Sequence, residues 1–405
     1  MATLSRTASR GLSPVVCFVI LGLLAPLAGA AEARNRPAIS VRAGDNGALV
    51  YTADDAGNRV IDFSAAGYGG GGEAIPLVPA RMVVAPTGNR DGERIQAALD
   101  LVAAMPVDAQ GFRGAVLLKP GRYRIDGNLR LRASGVVLRG SGQAENGTVL
   151  VATGLSRRAL IEIAGTGDRN EIAPSRQNVT DAYVPVGATR LAVDDASAFP
   201  VGTRIVVRRP SNAAWIAQVG MGAFSGWPQN PLSWRPGTRD IVWERAVTAV
   251  EGNTLTLDAP ITTALDAKVG GGTVTRYDFP GRIDHVGVEN LRCVSEFNKA
   301  LPKDEEHAWF CVTLDKVENA WVRQVTAQQF VSYVVDAQAD SKSVTIEDCT
   351  ALDPVSEIAA YRRRAFAIAG QLTLVQRCQS EHGLHDFTSG FAAAGPNVFL
   401  QSPHS

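Results

Sequence analysis

Three short clusters gather the side chains able to move protons or hold charge. Asp304-Glu305-Glu306-His307 sets an imidazole beside three carboxylates in a chain with only 5 His. Neighbouring carboxylates raise a histidine's pKa, so His307 is expected to act as a general acid or base with Glu305 as a carboxylate partner. The stretch from Glu381 to Asp386 offers a second set, in which His385 supplies a base and Asp386 a second acid group. Adjacent strand residues point apart, so these two need not touch each other. Tyr361-Arg362-Arg363-Arg364 brings three guanidiniums together. A guanidinium grips a carboxylate through two parallel N–H donors. Alternation keeps the three from facing one way, and Arg363 is the expected clamp. Calcium is the metal that carboxylates such as Asp304 and Glu305 would take, but no calcium-loop signature accompanies them. Each cluster also has a plainer reading, as a solvated acidic turn, a surface charge run or a polar turn.

Composition sets the frame for that chemistry. The chain has 405 residues, with 40 basic and 40 acidic side chains and no net charge. Such a balance gives no long-range pull toward nucleic acid or anionic membrane, so any grip on a charged partner must be local. Arg6 and Arg10, an apolar run from Val15 to Leu27 and the small residues Ala28-Gly29-Ala30 read as a signal peptide over 1–30. The mature chain is then expected to be secreted or periplasmic, with no membrane partner, and to act as a monomer. It keeps Cys293, Cys311, Cys349 and Cys378, whose spacings match no zinc pattern. Cys349 and Cys378 fall at equivalent places in a repeat. Side chains in register on parallel strands sit about 4.8 Å apart, which is long for a disulfide, so stacked free thiols are expected.

The elements that must position these clusters are mostly short strands. Residues 31–60 read as a polar arm. Ile95, Ala98, Leu99 and Val102 recur at helical spacing after Asp91. Strands of three to five residues follow, punctuated by Pro120-Gly121, Asp126-Gly127 and Ser134-Gly135. Farther on, four segments share one pattern of apolar, polar, polar, apolar. They begin at Val288, Val322, Ile346 and Val375, spacings of 34, 24 and 29 residues by subtraction. Periods of this size mark coils that bury their apolar side chains only by stacking on neighbours. Between residues 178 and 280 a different, hairpin-like alternation intervenes. The expected fold is therefore all-β: a right-handed parallel β-helix with coils over 61–177 and 281–405, an N-terminal capping helix and a small β subdomain inserted at 178–280. The stretch from Trp215 to Trp234, rich in Gly, Pro and Trp, lies in that insert. Trp215 and Trp234 there, and Trp309 outside it, would line a sugar site with aromatic faces; a loop with its own small core is the alternative.

Longer stretches carry a family resemblance. Ile61–Tyr68 (IDFSAAGY), the helix from Asp91, Gly114–Ile125 (GAVLLKPGRYRI) and Val136–Gly142 (VVLRGSG) resemble the opening of pectate-lyase-superfamily proteins. Asp304–Trp309 (DEEHAW), Glu318–Arg323 (ENAWVR), His385–Phe387 (HDF) and Gly395–Phe399 (GPNVF) resemble one branch of that superfamily. The resemblance covers nearly all the mature chain. It implies the parallel β-helix and a carbohydrate partner, while the fold hosts lyases, hydrolases, epimerases and phage adhesins. Relatives of this branch continue for further coils beyond the GPNVF motif, so a C-terminally truncated chain is expected. On such a scaffold an acidic polysaccharide is cut by β-elimination, which needs a base and a cation beside the uronic carboxylate, or by hydrolysis, which needs two carboxyl groups. Both remain open from the sequence, as does a non-catalytic carbohydrate-binding β-helix.

Overall fold

The computed structural model describes residues 39–223, 233–390 and 392–403. The expected signal peptide lies outside them. Among the described residues no helix is long and apolar enough to cross a membrane.

The chain winds around three faces. The first carries Ala80–Val84, Gly114–Leu118, Val136–Arg139, the opening halves of Ile283–Ser295 and Val317–Gln328, then Lys342–Glu347, Gln371–Gln376 and Val398–Leu400. The second carries Gly121–Asp126, Thr148–Thr153, the closing halves of the two long strands, Thr350–Leu352 and Gln379–Ser380. The third carries Leu129–Leu131, Ala159–Ala164, Phe310–Asp315, Val335–Ala337, Arg364–Ile368 and His385–Ser389. Every pairing within these faces is parallel. The architecture is a parallel β-helix.

The repeat seen in the sequence is the cross-section of one coil. Met82, Val116, Leu138, Val288, Val322, Ile346, Val375 and Phe399 stand in one register column. From Val116 to Val375 they are fully buried. The first polar residue of each segment, Glu289, Arg323, Glu347 or Gln376, sits one step along the strand. The second is Asn290, Gln324, Asp348 or Arg377, and each takes a positive φ between 50° and 59°. That left-handed residue turns the chain from the first face to the second, which explains why no apolar β-branched residue stands there. The closing apolar residues Leu291, Val325, Cys349 and Cys378 return to the core. The four cysteines among the described residues are buried and free, as expected for the stacked thiols of Cys349 and Cys378.

The helix Asp91–Ala103 packs Ile95, Ala98, Leu99 and Val102 onto Val84, Leu118, Tyr123 and Leu131 of the first coils. Residues 41–51 depart from the expected loose arm: Val41–Ala43 and Leu49–Tyr51 pair as an antiparallel hairpin. The segment between Ala164 and Ile283 forms an antiparallel sheet with a separate core that includes Phe199, Val207, Trp243 and Leu255. Its Gly252-Asn253 turn joins Ile241–Glu251 to Thr254–Leu257. Asn170–Glu171 and Gln177–Asn178 pair with Thr273–Asp278, so this sheet recruits residues ahead of the expected boundary at 178. Strands of two residues carry too little alternation to be read from sequence.

Candidate functional site

The corner between the second and third faces collects most of the sequence-predicted residues. Its loops stack by backbone bonds. Trp309 N–H donates to Arg158 O at 2.8 Å, Ser332 N–H to Trp309 O at 2.9 Å, Arg363 N–H to Val331 O at 3.2 Å and Leu384 N–H to Arg363 O at 2.9 Å. Trp309, Ser332, Arg363 and Leu384 therefore occupy successive levels of one corner, with His385 beside Leu384. Glu305 is held there by Arg362, whose Nη2 donates to Oε2 at 2.9 Å, and its carbonyl accepts Trp309 Nε1–H at 2.9 Å. The hydrogen bonds from Arg362 hold the Glu305 carboxyl below its ordinary range, against the opposing push of burial. Glu305 is thus a fixed anion beside Trp309 rather than a free proton carrier.

A ribbon of aromatic rings runs from this corner, where Trp309 is buried, to the wall of the third face, where Phe310 and Tyr333 are half-buried. Tyr361 and Trp309 have ring centroids 6.0 Å apart, Trp309 and Phe310 6.1 Å, and Phe310 and Tyr333 5.2 Å in a stacked pair. Arg157 and Arg362 lie 5.3 and 5.9 Å from the Trp309 ring centroid. Arg364 Nη1 donates to Tyr333 Oη at 3.1 Å, and its register partner is His385, which is exposed. Ring faces and guanidiniums in alternation suit the apolar faces and anionic groups of a sugar chain.

On the same wall stand two carboxylates with an altered charge balance. Asp336 lies opposite Thr313, two residues from Asp315 on the neighbouring coil. Strand spacing and rise put their Cα atoms ~8 Å apart. Burial pushes the Asp336 carboxyl up to about 6, with Asp315 adding to the rise against a 3.4 Å hydrogen bond from Gln338 Nε2. Burial also raises Asp315, helped by Asp340. A carboxyl that keeps its proton up to about pH 6 is equipped to donate it in mildly acidic conditions.

At the corner lies a small, half-open hollow of about 20 Å³, lined by Arg363, Arg364, Ser332, Ser380, Glu381 and Gly383 over an apolar floor including Phe330 and Val334. Arg363 Nη2 donates to Ser356 O at 2.8 Å, while burial lowers the pKa of its guanidinium. Asp386 does not point a free carboxylate at the wall. It accepts Ser380 Oγ–H at 2.6 Å and packs against Gly383, where an added Cβ would fall 1.6 Å from Asp386 Oδ1. Its part is to fix the loop that floors the hollow.

Three expectations are corrected. His307 is wholly buried, not on the wall. Ser295 Oγ lies 2.8 Å from Nδ1, and the carbonyls of Asp304 and Val355 lie 3.2 Å from Nε2, so Nε2 carries the proton and Nδ1 accepts from the hydroxyl. Burial lowers its pKa, overriding the attraction of Asp304 and Glu305 that the sequence reading relied on. The carboxylates proposed for calcium are engaged: Asp304 accepts the N–H groups of Asn298 at 2.8 Å and Glu306 at 3.0 Å, and Glu305 pairs with Arg362. Among the described residues no group of three or more His, Cys, Asp or Glu side chains converges as a metal site. Trp215 and Trp234 stack on one another at 5.6 Å, with Arg209 3.7 Å over the first ring and Arg239 5.5 Å over the second. Both rings are half-buried and each has a guanidinium beside it, so this stack belongs to the insert and not to the corner that holds Trp309.

Sequence reasoning missed Asp336, Asp315, Tyr333, Phe310 and Arg364. A signal was there: Asp336 is the one charge in the apolar strand Val334-Val335-Asp336-Ala337, and Asp315 closes Val312-Thr313-Leu314 in the same way.

No family model and no curated sequence matches the chain. Among solved structures it is similar to the tailspike gp61 of Pseudomonas phage phi297, at 13% identity over 76% of this chain and 56% of that one, with a TM-score of 0.34. It is similar to the tailspike gp49 of Pseudomonas phage LKA1 at 13% identity, over 76% and 52%, with a TM-score of 0.31. It is also similar to the Gp54 tailspike of Acinetobacter baumannii bacteriophage AP22, whose structure holds a capsular saccharide, at 10% identity over 80% and 56%, with a TM-score of 0.25. The chain spans about half the length of each of these tailspikes.

Proposed function

We propose that the protein is an exported enzyme that hydrolyses a uronic-acid-containing polysaccharide across the outer wall of its third face. The observation that carries this reading is the pair Asp315 and Asp336, both raised toward the protonated form on neighbouring coils beside the aromatic ribbon. Their Cα atoms lie ~8 Å apart with both side chains on one side of the sheet, and an inverting hydrolysis would require their carboxyl groups to stand about 6.5–9.5 Å apart, with a water between them. Asp336 donates its proton to the glycosidic oxygen as that bond to the anomeric carbon breaks. Asp315 takes a proton from the water whose oxygen bonds to the same carbon. The ribbon from Tyr361 to Tyr333 supports the sugar rings, and Arg157, Arg362 and Arg364 supply positive charge along an acidic chain.

A second reading is β-elimination. Arg364 and the exposed His385 are register partners, which sets a cation beside a titratable base. Product analysis separates the readings. New reducing ends without an unsaturated chromophore are expected when purified protein meets polygalacturonate, alginate or glucuronan. An unsaturated product would replace hydrolysis by elimination. Retention on the glycan with neither product would leave a binding module.

A further inference from the structure

A second hollow lies where the third face meets the inserted sheet. It holds about 210 Å³ and is half-open to solvent. Ala339, Asp340 and Ala369 come from the coil turns, Arg169 and Asp240 from the insert and Gln371 from the first face. The hollow continues the wall that carries the two acids. Asp340 follows Asp336 by four residues and adds to the rise of Asp315. Ala369 N–H donates to Ala337 O at 2.8 Å, which seats Ala369 beside Gln338, the residue bonded to Asp336.

Gln371 is the only buried Asn or Gln among the described residues, at 4% exposure. Its Oε1 accepts Glu244 N–H at 2.9 Å and Arg245 Nη1–H at 3.1 Å, which fixes the way the amide points. Its Nε2 donates to nothing among the described residues, so two N–H donors are left for the hollow that Gln371 lines. A buried donor without a partner is costly, and a group from outside relieves that cost.

Asp340 supplies the opposite half. It is half-buried, and its carboxylate has no hydrogen bond or ion pair among the described residues. The other charges of the hollow are matched. Arg169 bonds Glu244 at 3.1 Å, and Asp240 accepts Ser211 N–H at 2.8 Å and Ser211 Oγ–H at 2.9 Å. One free donor and one free acceptor thus stand among small apolar side chains such as Ala369 and Val242. Sugar hydroxyls donate and accept, so they satisfy both. A uronate carboxylate only accepts, and it would meet the unpaired charge of Asp340. The volume is small beside the roughly 300–1,000 Å³ of sites for drug-sized ligands, which leaves room for one unit.

We infer that this hollow is a subsite for one neutral sugar unit, whose hydroxyls accept from Gln371 Nε2 and donate to Asp340. This rests on the reading that a sugar chain crosses the third face, and it adds that the chain is mixed, with acid units along the arginines and a neutral unit at the insert. A uniform polyuronate sets a carboxylate against Asp340 and is the poorer ligand.

Pairs of free sugars that differ only at C6 provide the test: glucose and glucuronate, galactose and galacturonate, mannose and mannuronate. Each is titrated into the whole chain while the Gln371 side-chain NH2 signals are followed by NMR. At least one neutral sugar is expected to shift those signals and to bind at least about fivefold more tightly than its acid partner. Asp340→Asn removes the charge and keeps the shape, and it is expected to bring that ratio close to one. Gln371→Glu keeps the acceptor used by Glu244 and Arg245 but loses the donors, and it is expected to lose neutral-sugar binding. Circular dichroism and the melting temperature establish that each variant is folded; if Gln371→Glu is not, the wild-type signals and the Asp340→Asn ratio decide. No shift with any of the three neutral sugars would overturn the subsite. An acid sugar bound as tightly as its neutral partner, or a ratio unchanged in folded Asp340→Asn, would overturn the assignment to a neutral unit. Cleavage of polygalacturonate without neutral-sugar binding would end the subsite and leave the hydrolase. Neutral-sugar binding without cleavage of any polymer would do the reverse.

Discussion

Two regions of the molecule use the same residue types in opposite ways. At the junction between the inserted sheet and the coils, the buried carboxylates are saturated. Glu244 accepts from Arg282 at 2.5 and 3.0 Å, from Arg169 at 3.1 Å and from Tyr277 Oη at 3.0 Å, and Glu318 pairs with Arg204 at 2.6 Å and Lys342 at 3.3 Å. Burial alone would raise Glu244, but Arg282 overrides it and holds the carboxyl at about 2. On the third face and its corner the balance is reversed. Asp315 and Asp336 lack a guanidinium partner and rise, while Arg363 and Arg364 lack a carboxylate. Carboxylates that hold two layers together are matched within the chain, whereas the raised acids of the wall are the ones proposed to meet substrate.

The largest expected effect would break the junction. Glu244→Leu leaves Arg282 buried without its partner and should cost about 3–5 kcal/mol of stability in chemical denaturation. Adding Arg282→Met should recover much of that loss, because the stranded cation goes too. The sign with pH follows from the lowered carboxyl. Glu244's contribution is present above its ordinary value of 4.5 and is lost as pH falls toward about 2. A single variant as stable as wild type would mean that the junction charges are ornamental and the contrast empty.

On the other side of the comparison, Asp336→Asn removes the proton donor and keeps the shape. The loss in kcat should be at least about a hundredfold, equivalent to ~2.7 kcal/mol. Wild-type turnover should decline as pH rises through about 6, where Asp336 loses its proton. Undiminished kcat in Asp336→Asn would remove the wall carboxylates from the chemistry.

The column from Val288 to Val375 was legible because burial inside a coil forces one apolar residue at each corner strand, and the polar pair between follows from a left-handed turn. Trp309, Glu305, Arg363 and His385 stand out in sequence as clusters of charge in a chain with few histidines, and stacking brings their loops to one corner. What the sequence hid was direction. His307 and Glu305 are two residues apart, yet one ring turns inward to Ser295 and the other side chain outward to Arg362. Asp336 and Asp315 stand in different strands and become neighbours only through parallel register. Density of charge along the chain points to a surface, whereas a shifted acid depends on what covers it.

His307 sharpens that lesson. As a buried ring bonded to Ser295 and two carbonyls, it should behave like the junction and unlike the wall. His307→Ala is expected to cost about 1–3 kcal/mol of stability, from the unpaired groups it leaves behind. Turnover per folded molecule should stay near wild type at a temperature where the variant is intact. Loss of kcat in a fully folded variant would return His307 to the chemistry.

The smallest effect separates a functional acid from a structural one through stability alone. A carboxyl raised in the folded state is bound to its proton more tightly there than in the unfolded chain. Its favourable contribution is therefore complete below the ordinary value of 3.8 and disappears as pH rises through about 6. Above that pH the folded protein holds a poorly solvated charge, and Asp336→Asn relieves it. The variant should gain about 1 kcal/mol at pH 8, a figure kept below the full shift because the residue is partly exposed, and gain almost nothing at pH 4. Denaturation curves of wild type and variant at the two pH values measure this directly. A residue selected for packing would lose stability on replacement, as Glu244 does. One that gains stability while losing turnover is held in an unfavourable state by what it does to substrate.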